Sequence, residues 1–167
     1  MVIKMSDIPI FSFVAFSGTG KTTLLEKLVA ELKRRGLRVA ILKHDAHEFD
    51  VDHKGKDSWR FTNAGADISI VISDSKAAIM ENRPVALEAL LDKITDVDII
   101  LTEGYKGGAW PKIAIQRRAT GKPLPIPEEE CLAIVTDVPG NVRKPCFGLE
   151  DISGLADFIC IGIDNYL

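Results

Sequence analysis

Phosphate chemistry is the first thing the residue types suggest. Ala15-Phe16-Ser17-Gly18-Thr19-Gly20-Lys21-Thr22 follows the pattern G-x-x-x-x-G-K-[ST], with Ala15 in place of the first glycine. Gly18 and Gly20 let the backbone turn so that successive N–H groups point inward at phosphate oxygens. A helix opening near Lys21 would aim its positive dipole end at the same anion. Lys21 adds a mobile cation for the outer phosphates, and the Thr22 hydroxyl can ligate Mg²⁺. A methyl group at position 15 is acceptable if the backbone there keeps ordinary torsions. A chance glycine-rich turn is the bland alternative, and the elements on either side argue against it.

A carboxylate is the second part such a site needs. Asp98-Ile99-Ile100-Leu101-Thr102-Glu103 puts Glu103 at the carboxyl end of an apolar strand, where open α/β sheets bind their ligands. Glu103 there can hold Mg²⁺ through water or orient an attacking water. Asp98, at the other end, reads as structural. The stretch from Lys43 to Ser58 is dense in His and Asp. Its three histidines, His44, His47 and His53, have no cysteine companion and no helix to fix them on one face, so a zinc site is the weaker reading. A switch-like loop that meets phosphate, Mg²⁺ or a second anionic substrate is the stronger one, beside a merely solvated loop. Asp57 and Arg60, three residues apart on a short helix, should share a face. They would offer a fork to a phosphate, or form a surface ion pair and nothing more.

The elements that must position these groups alternate. Ile8–Ala15 is an apolar run suited to a strand buried on both faces. Thr22–Arg35 carries Leu24, Leu25, Leu28, Val29 and Leu32 at helical spacing, and Gly36 stands where a helix ends. Arg38–Lys43 is the next buried strand, which makes a βαβ crossover. A short helix is expected over Lys56–Ala64, and an antiparallel hairpin over Asp67–Ser73 and Lys76–Met80. A helix is expected from Pro84 to Ile94, and strands over Val97–Thr102, Lys112–Arg117 (near an edge) and Cys131–Thr136. Asp151 should cap a last helix. The expectation is an α/β, mainly parallel sheet flanked by helices on both faces, with an antiparallel hairpin, of the P-loop nucleotide-binding class.

The chain has 167 residues, expected as one domain over 1–167, with 46% hydrophobic residues and a net charge of −3. Such a composition excludes a disordered or collagenous chain and disfavours an electrostatic nucleic-acid binder. No apolar run is long enough for a membrane span, and the first residues lack a signal-peptide layout. Cys131, Cys146 and Cys160 read as reduced thiols, so a cytoplasmic location is expected.

The phosphate loop, the Lys43–Arg60 segment, Ala64-Gly65-Ala66 and Glu103-Gly104-Tyr105-Lys106 together resemble the molybdopterin-guanine dinucleotide biosynthesis protein B (MobB) family, from about Pro9 to Asp137. The resemblance implies a homodimeric, GTP-binding accessory protein that hydrolyses GTP slowly. It implies work beside the guanylyltransferase MobA, which attaches GMP to molybdopterin in molybdenum-cofactor maturation. By matching position, Ser17, Gly18, Thr19, Gly20, Lys21, Thr22 and Thr23 would bind the nucleotide phosphates. Lys21 and Glu103 would be the catalytic pair, and Thr22, Glu103 and Asp45 would serve Mg²⁺. Lys43, Asp45, Lys56, Asp57 and Arg60 would sit near the phosphate end or a molybdopterin phosphate. The Asn-Lys-x-Asp guanine motif is absent from the sequence, and Asp137, ending a late strand, is the candidate for the base edge. A small-molecule kinase and a nucleotide-gated metallochaperone are the alternatives. A kinase lid rich in arginines is not evident, and no arginine is evidently aimed at a transferring phosphate. Only Arg34-Arg35 and Arg117-Arg118 are adjacent.

Overall fold

The computed structural model describes residues 8–44, 49 and 51–164. Its first strand, β1 (Ile10–Val14), is buried at every position, as its apolar run requires. α1 (Lys21–Arg34) follows and buries Leu24, Leu25, Leu28 and Leu32. It ends as the glycine predicts. Gly36 has φ +86, its N–H bonds Lys33 O at 3.0 Å, and Leu37 N–H bonds Leu32 O at 3.1 Å. That pair of bonds satisfies the last carbonyls of the helix.

The chain, expected as one domain, divides by its contacts into two compact units. The first takes the described parts of Met1–His44 and Ile94–Leu167. It holds β1, α1, β2 (Val39–Lys43), β5 (Ile99–Glu103), β6 (Lys112–Gln116), β7 (Cys131–Thr136), β8 (Cys146–Phe147) and α4 (Ile152–Asp164). All six strands run parallel, in the order β2-β5-β1-β6-β7-β8. Phe11, Phe13, Leu101, Ile113, Ile115 and Val135 turn one face of this sheet toward α1 and α4, forming the main core. On the other face Val14, Ala114 and Ile134 pack against Leu124, Ile126 and Val142. Arg35 clamps α1 to α4: it bonds Glu31 at 2.8 Å, Asp157 at 2.7 Å and Ser153 O at 3.1 Å. Asp151 caps α4 as expected, accepting Gly154 N–H at 3.1 Å.

The second unit, within Asp45–Lys93, holds α2 (Asp57–Asn63), the strands β3 (Ile68–Ile72) and β4 (Ala77–Glu81), and α3 (Leu87–Leu91). β3 and β4 form the expected antiparallel hairpin, closed by Ser73 N–H on Lys76 O at 2.7 Å. Ile70, Ile72 and Ile79 share one face of the hairpin and are exposed there by 64%, 78% and 61%.

Three expectations are corrected and one strand is added. β6 is an interior strand between β1 and β7; its polar residues are confined to its ends, while Ile113, Ala114 and Ile115 are all buried. β2, expected buried, is an edge strand and leaves Ile41 47% exposed. It pairs with β5, so the opening crossover skips a strand position. The helix expected from Pro84 to Ile94 spans only Leu87–Leu91, with Pro84 ahead of it. β8 went unforeseen, because a two-residue strand carries no periodicity.

Candidate functional site

The loop after β1 is built for close approach. Gly18 has φ +80 and Gly20 has φ +88, left-handed values that a side chain resists. Ala15 keeps an ordinary backbone and tucks its methyl group into the main core, so the departure from the first glycine is harmless. Thr19 is buried and ties the loop by donating its hydroxyl to Phe16 O at 2.7 Å. Gly20 is the N-cap of α1. No side chain caps that end, and no acid stands in the first turn. Its first N–H groups are therefore left to an outside acceptor, with the dipole favouring an anion.

β1 and β5 are parallel neighbours with Phe13 opposite Glu103, so Glu103 turns to the same face as α1. There it meets the loop. Thr22 donates its hydroxyl to Glu103 Oε1 at 2.9 Å, and Lys21 Nζ lies 3.6 Å from the same oxygen. Glu103 is only 9% exposed. The residues after it are shaped by the same closeness. Gly104 has φ +94, and a Cβ there would stand 3.4 Å from His44 O and 3.7 Å from Lys21 Nζ. Tyr105 stacks edge-on against His44 at 4.8 Å and packs at a tilt against Trp110 at 5.1 Å.

Lys21, Thr22 and Glu103 thus come together as expected, on the loop formed by Ser17, Gly18, Thr19 and Gly20; Thr23 lies in the first turn and is exposed. Lys43 ends β2 with an exposed side chain, opposite Glu103 in the register. Asp45 and His47 lie outside the described residues, so the Asp45 metal reading does too. Among the described residues no three His, Cys, Asp or Glu side chains cluster as metal ligands. Asp57 and Arg60 share one face of α2, as their spacing predicts, and pair at 3.3 Å with both side chains exposed. Lys56 and Asp57 border a concavity of about 770 Å³, floored by Phe61 and the β3 residues. Asp137, just past β7, accepts Arg118 N–H on Oδ1 at 2.6 Å. That bond joins the loops after β6 and β7.

Three cations around the loop had no role there in the sequence reading, although Arg117 and Lys106 lie in stretches it singled out. Arg117, just past β6, holds its guanidinium against Gly20: Nη1 would lie 3.1 Å from a Cβ added there. Lys122 donates to Ser17 O at 3.5 Å. Lys106 and Lys122 stand over the Phe16 ring, 4.7 and 5.5 Å from its centroid. The usable signal was the parallel order itself. Residues just past a strand beside β1 arrive at the phosphate loop, and an edge position for β6 hid that for Arg117.

Comparison with known proteins agrees with this architecture. The profile of the family described as molybdopterin guanine dinucleotide synthesis protein B matches residues 10–137. A Haemophilus influenzae protein named molybdopterin-guanine dinucleotide biosynthesis adapter protein is 39% identical over 163 residues, covering 95% of this chain and 92% of its own. An Escherichia coli protein of the same name is also 39% identical, covering 91% of each chain. Among solved structures, Bacillus subtilis MobB superposes with a TM-score of 0.74 at 25% identity, over 92% of this chain and 97% of that one. A crystal structure of molybdopterin-guanine biosynthesis protein B gives 0.68 at 28% identity, over 91% and 98%. Family profile, near full-length relatives and a parallel sheet with a phosphate loop agree, and the chain belongs to the molybdopterin-guanine dinucleotide synthesis protein B (MobB) family.

Proposed function

We propose that the chain is a GTP-binding adapter in molybdopterin-guanine dinucleotide formation. Its relatives carry the word adapter in their names. One observation carries the nucleotide reading: Lys21 and Thr22 converge on Glu103 at the uncapped start of α1. The phosphates of the nucleotide would lie over Gly18–Thr23, taken by backbone N–H groups and Lys21. Thr22 and Glu103 offer hard oxygen donors, one hydroxyl and one carboxylate, which suit Mg²⁺. Mg²⁺ would be held by the Thr22 oxygen and, through water, by Glu103, and would neutralise phosphate charge there. Glu103 would also orient a water for attack on the terminal phosphate. Guanine would be read on the β6–β7 side by Asp137, whose Oδ2 takes no hydrogen bond among the described residues. Hydrolysis would be slow. The arginine resting on the loop, Arg117, lies just past β6, whereas Glu103 ends β5 on the other side of β1. An arginine placed on the transferring phosphate is worth roughly 10³–10⁵ in rate.

The adapter role implies partners. The guanylyltransferase MobA and molybdopterin are those the family resemblance brings, with Lys56, Asp57 and Arg60 of the second unit as the groups for a second anion. A homodimer is supported by the hairpin of the second unit, whose Ile70, Ile72 and Ile79 are exposed on an apolar surface that a monomer rarely leaves open. Lys21→Ala tests the core of this reading by calorimetry with Mg·GTP. The variant should stay folded and lose about ten- to a hundredfold in affinity, the value of one charge-assisted contact. Undiminished affinity in the folded variant would remove the phosphate loop from the binding site.

A further inference from the structure

The phosphate loop is flanked unequally. β1 lies between β5 and β6, so the segments leaving the ends of β5 and β6 arrive on opposite sides of the loop. On the β5 side stands the carboxylate of Glu103, already engaged by Lys21 and Thr22. On the β6 side Arg117 lies against Gly20 and Lys122 at Ser17 O. Among the described residues no carboxylate lies within ion-pair range of Arg117 or Lys122. Glu150, which feels Arg117 at longer range, is bound to Lys27 at 2.5 Å.

The position of Arg117 is fixed from its backbone. Its carbonyl accepts both the N–H and the hydroxyl of Thr120, at 3.1 and 2.8 Å. The next residue, Arg118, is pinned by Asp137 at 2.6 Å. Gln116, ahead of it, donates to Lys122 O at 3.2 Å. A long side chain on an anchored backbone spends less entropy when it grips a ligand. A half-buried arginine with no carboxylate in ion-pair range among the described residues, its guanidinium against a glycine-rich loop, is a fork suited to an oxyanion.

We propose that Arg117 binds the nucleoside-proximal phosphate of the bound nucleotide, from the side of the loop opposite Glu103, with Lys122 adding charge beside it. The assignment rests on the nucleotide reading above and adds a direction to it. The metal and terminal phosphate belong with Glu103. The phosphate chain must then cross the loop mouth toward β6, and the base continues toward Asp137, past β7. Arg117 stands where the chain joins the nucleoside. It meets a phosphate present in the diphosphate as well as the triphosphate, which separates it from a group acting on the terminal phosphate.

Titrations of GTP and GDP against the parent chain, Arg117→Ala and Arg117→Lys test this, with circular dichroism checking that each variant is folded. Arg117→Ala should weaken GTP and GDP by the same factor, about ten- to a hundredfold, as loss of a charge-assisted contact does. Arg117→Lys should restore part of the loss, since it returns the charge without the fork. Equal parent and Arg117→Ala affinities for both nucleotides would overturn the assignment. So would a loss for GTP alone, which would place Arg117 on the terminal phosphate. A parent chain that binds neither nucleotide would instead overturn the nucleotide reading and this one with it. Should Arg117→Ala fail to fold, Arg117→Lys carries the test: its two affinities must fall together, and a fall in GTP alone, or in neither, refutes the proposal.

Discussion

On the proposed nucleotide reading, Glu103→Gln separates the contribution of Mg²⁺ from that of the loop. The carboxylate is 9% exposed, accepts the Thr22 hydroxyl at 2.9 Å and lies 3.6 Å from Lys21 Nζ. At 3.6 Å and an effective dielectric of about 20, the two charges attract by ~5 kcal/mol before desolvation is subtracted. Desolvation cancels much of that. The remainder holds Lys21 toward Glu103 and away from a phosphate. The amide keeps the shape and can still accept from Thr22, but the charge is gone. Two effects of opposite sign are expected. Without Mg²⁺, the variant should bind GTP at least as tightly as the parent, by up to about tenfold if ~1.4 kcal/mol of the restraint on Lys21 is released. The extra affinity that Mg²⁺ confers should shrink by about ten- to a hundredfold, the value of one charge-assisted contact. Single-turnover hydrolysis should fall with it. Calorimetric titration with GTP, in chelator and in saturating Mg²⁺, reads both effects. A variant that loses affinity in chelator, or keeps the whole Mg²⁺ increment, refutes the geometry assigned to Glu103.

The remaining predictions concern the framework. Leu28 is fully buried in the core between α1 and the sheet, so Leu28→Ala should cost roughly 2–5 kcal/mol in a urea titration while leaving GTP affinity unchanged. An unaltered midpoint would mean that α1 is not packed as described. Acid should unfold the chain through its paired carboxylates. Arg34 and Arg35 hold the Glu31 carboxyl down at about 2, from an ordinary value of 4.5, and Arg38 lowers Asp98 in the same direction. Folded values lie below unfolded ones, so the stability these groups add is present above the unfolded value and is lost as pH falls through the folded one, for Glu31 between about 4.5 and 2. The urea midpoint should drop in that window and drop less in Glu31→Gln; an identical pH profile in the variant would contradict the pairing.

Local features were legible in the sequence, and neighbourhoods across the sheet were not. The spacing of Leu24, Leu25, Leu28 and Leu32 and the glycine at 36 announced α1, because a helix is specified by residues within one turn of each other. Ser73-Asp74-Ser75 between two apolar stretches announced the β3–β4 hairpin. That Lys21, Thr22 and Glu103 meet was legible because each belongs to a short motif at the end of a buried strand. Strand order has no such local code. β6 has polar residues at both ends and a small alanine in its middle, so it reads as an edge while lying inside the sheet. That error carried Arg117 away from the site, although it lies against Gly20. The short α3 was overextended because Pro84 suits a helix start, whereas the backbone becomes helical only at Leu87.

Calorimetric titration of the parent chain with Mg·GTP, set beside Mg·ATP, tests the central claim most directly. A GTP-binding adapter should give saturable binding of one GTP per chain, with ATP weaker by at least about tenfold, the loss expected when a base-reading contact is unmatched. Absence of saturable binding by either nucleotide would contradict the assignment of Gly18–Thr23 and Glu103 as a nucleotide site. Equal affinity for the two would contradict guanine reading at Asp137.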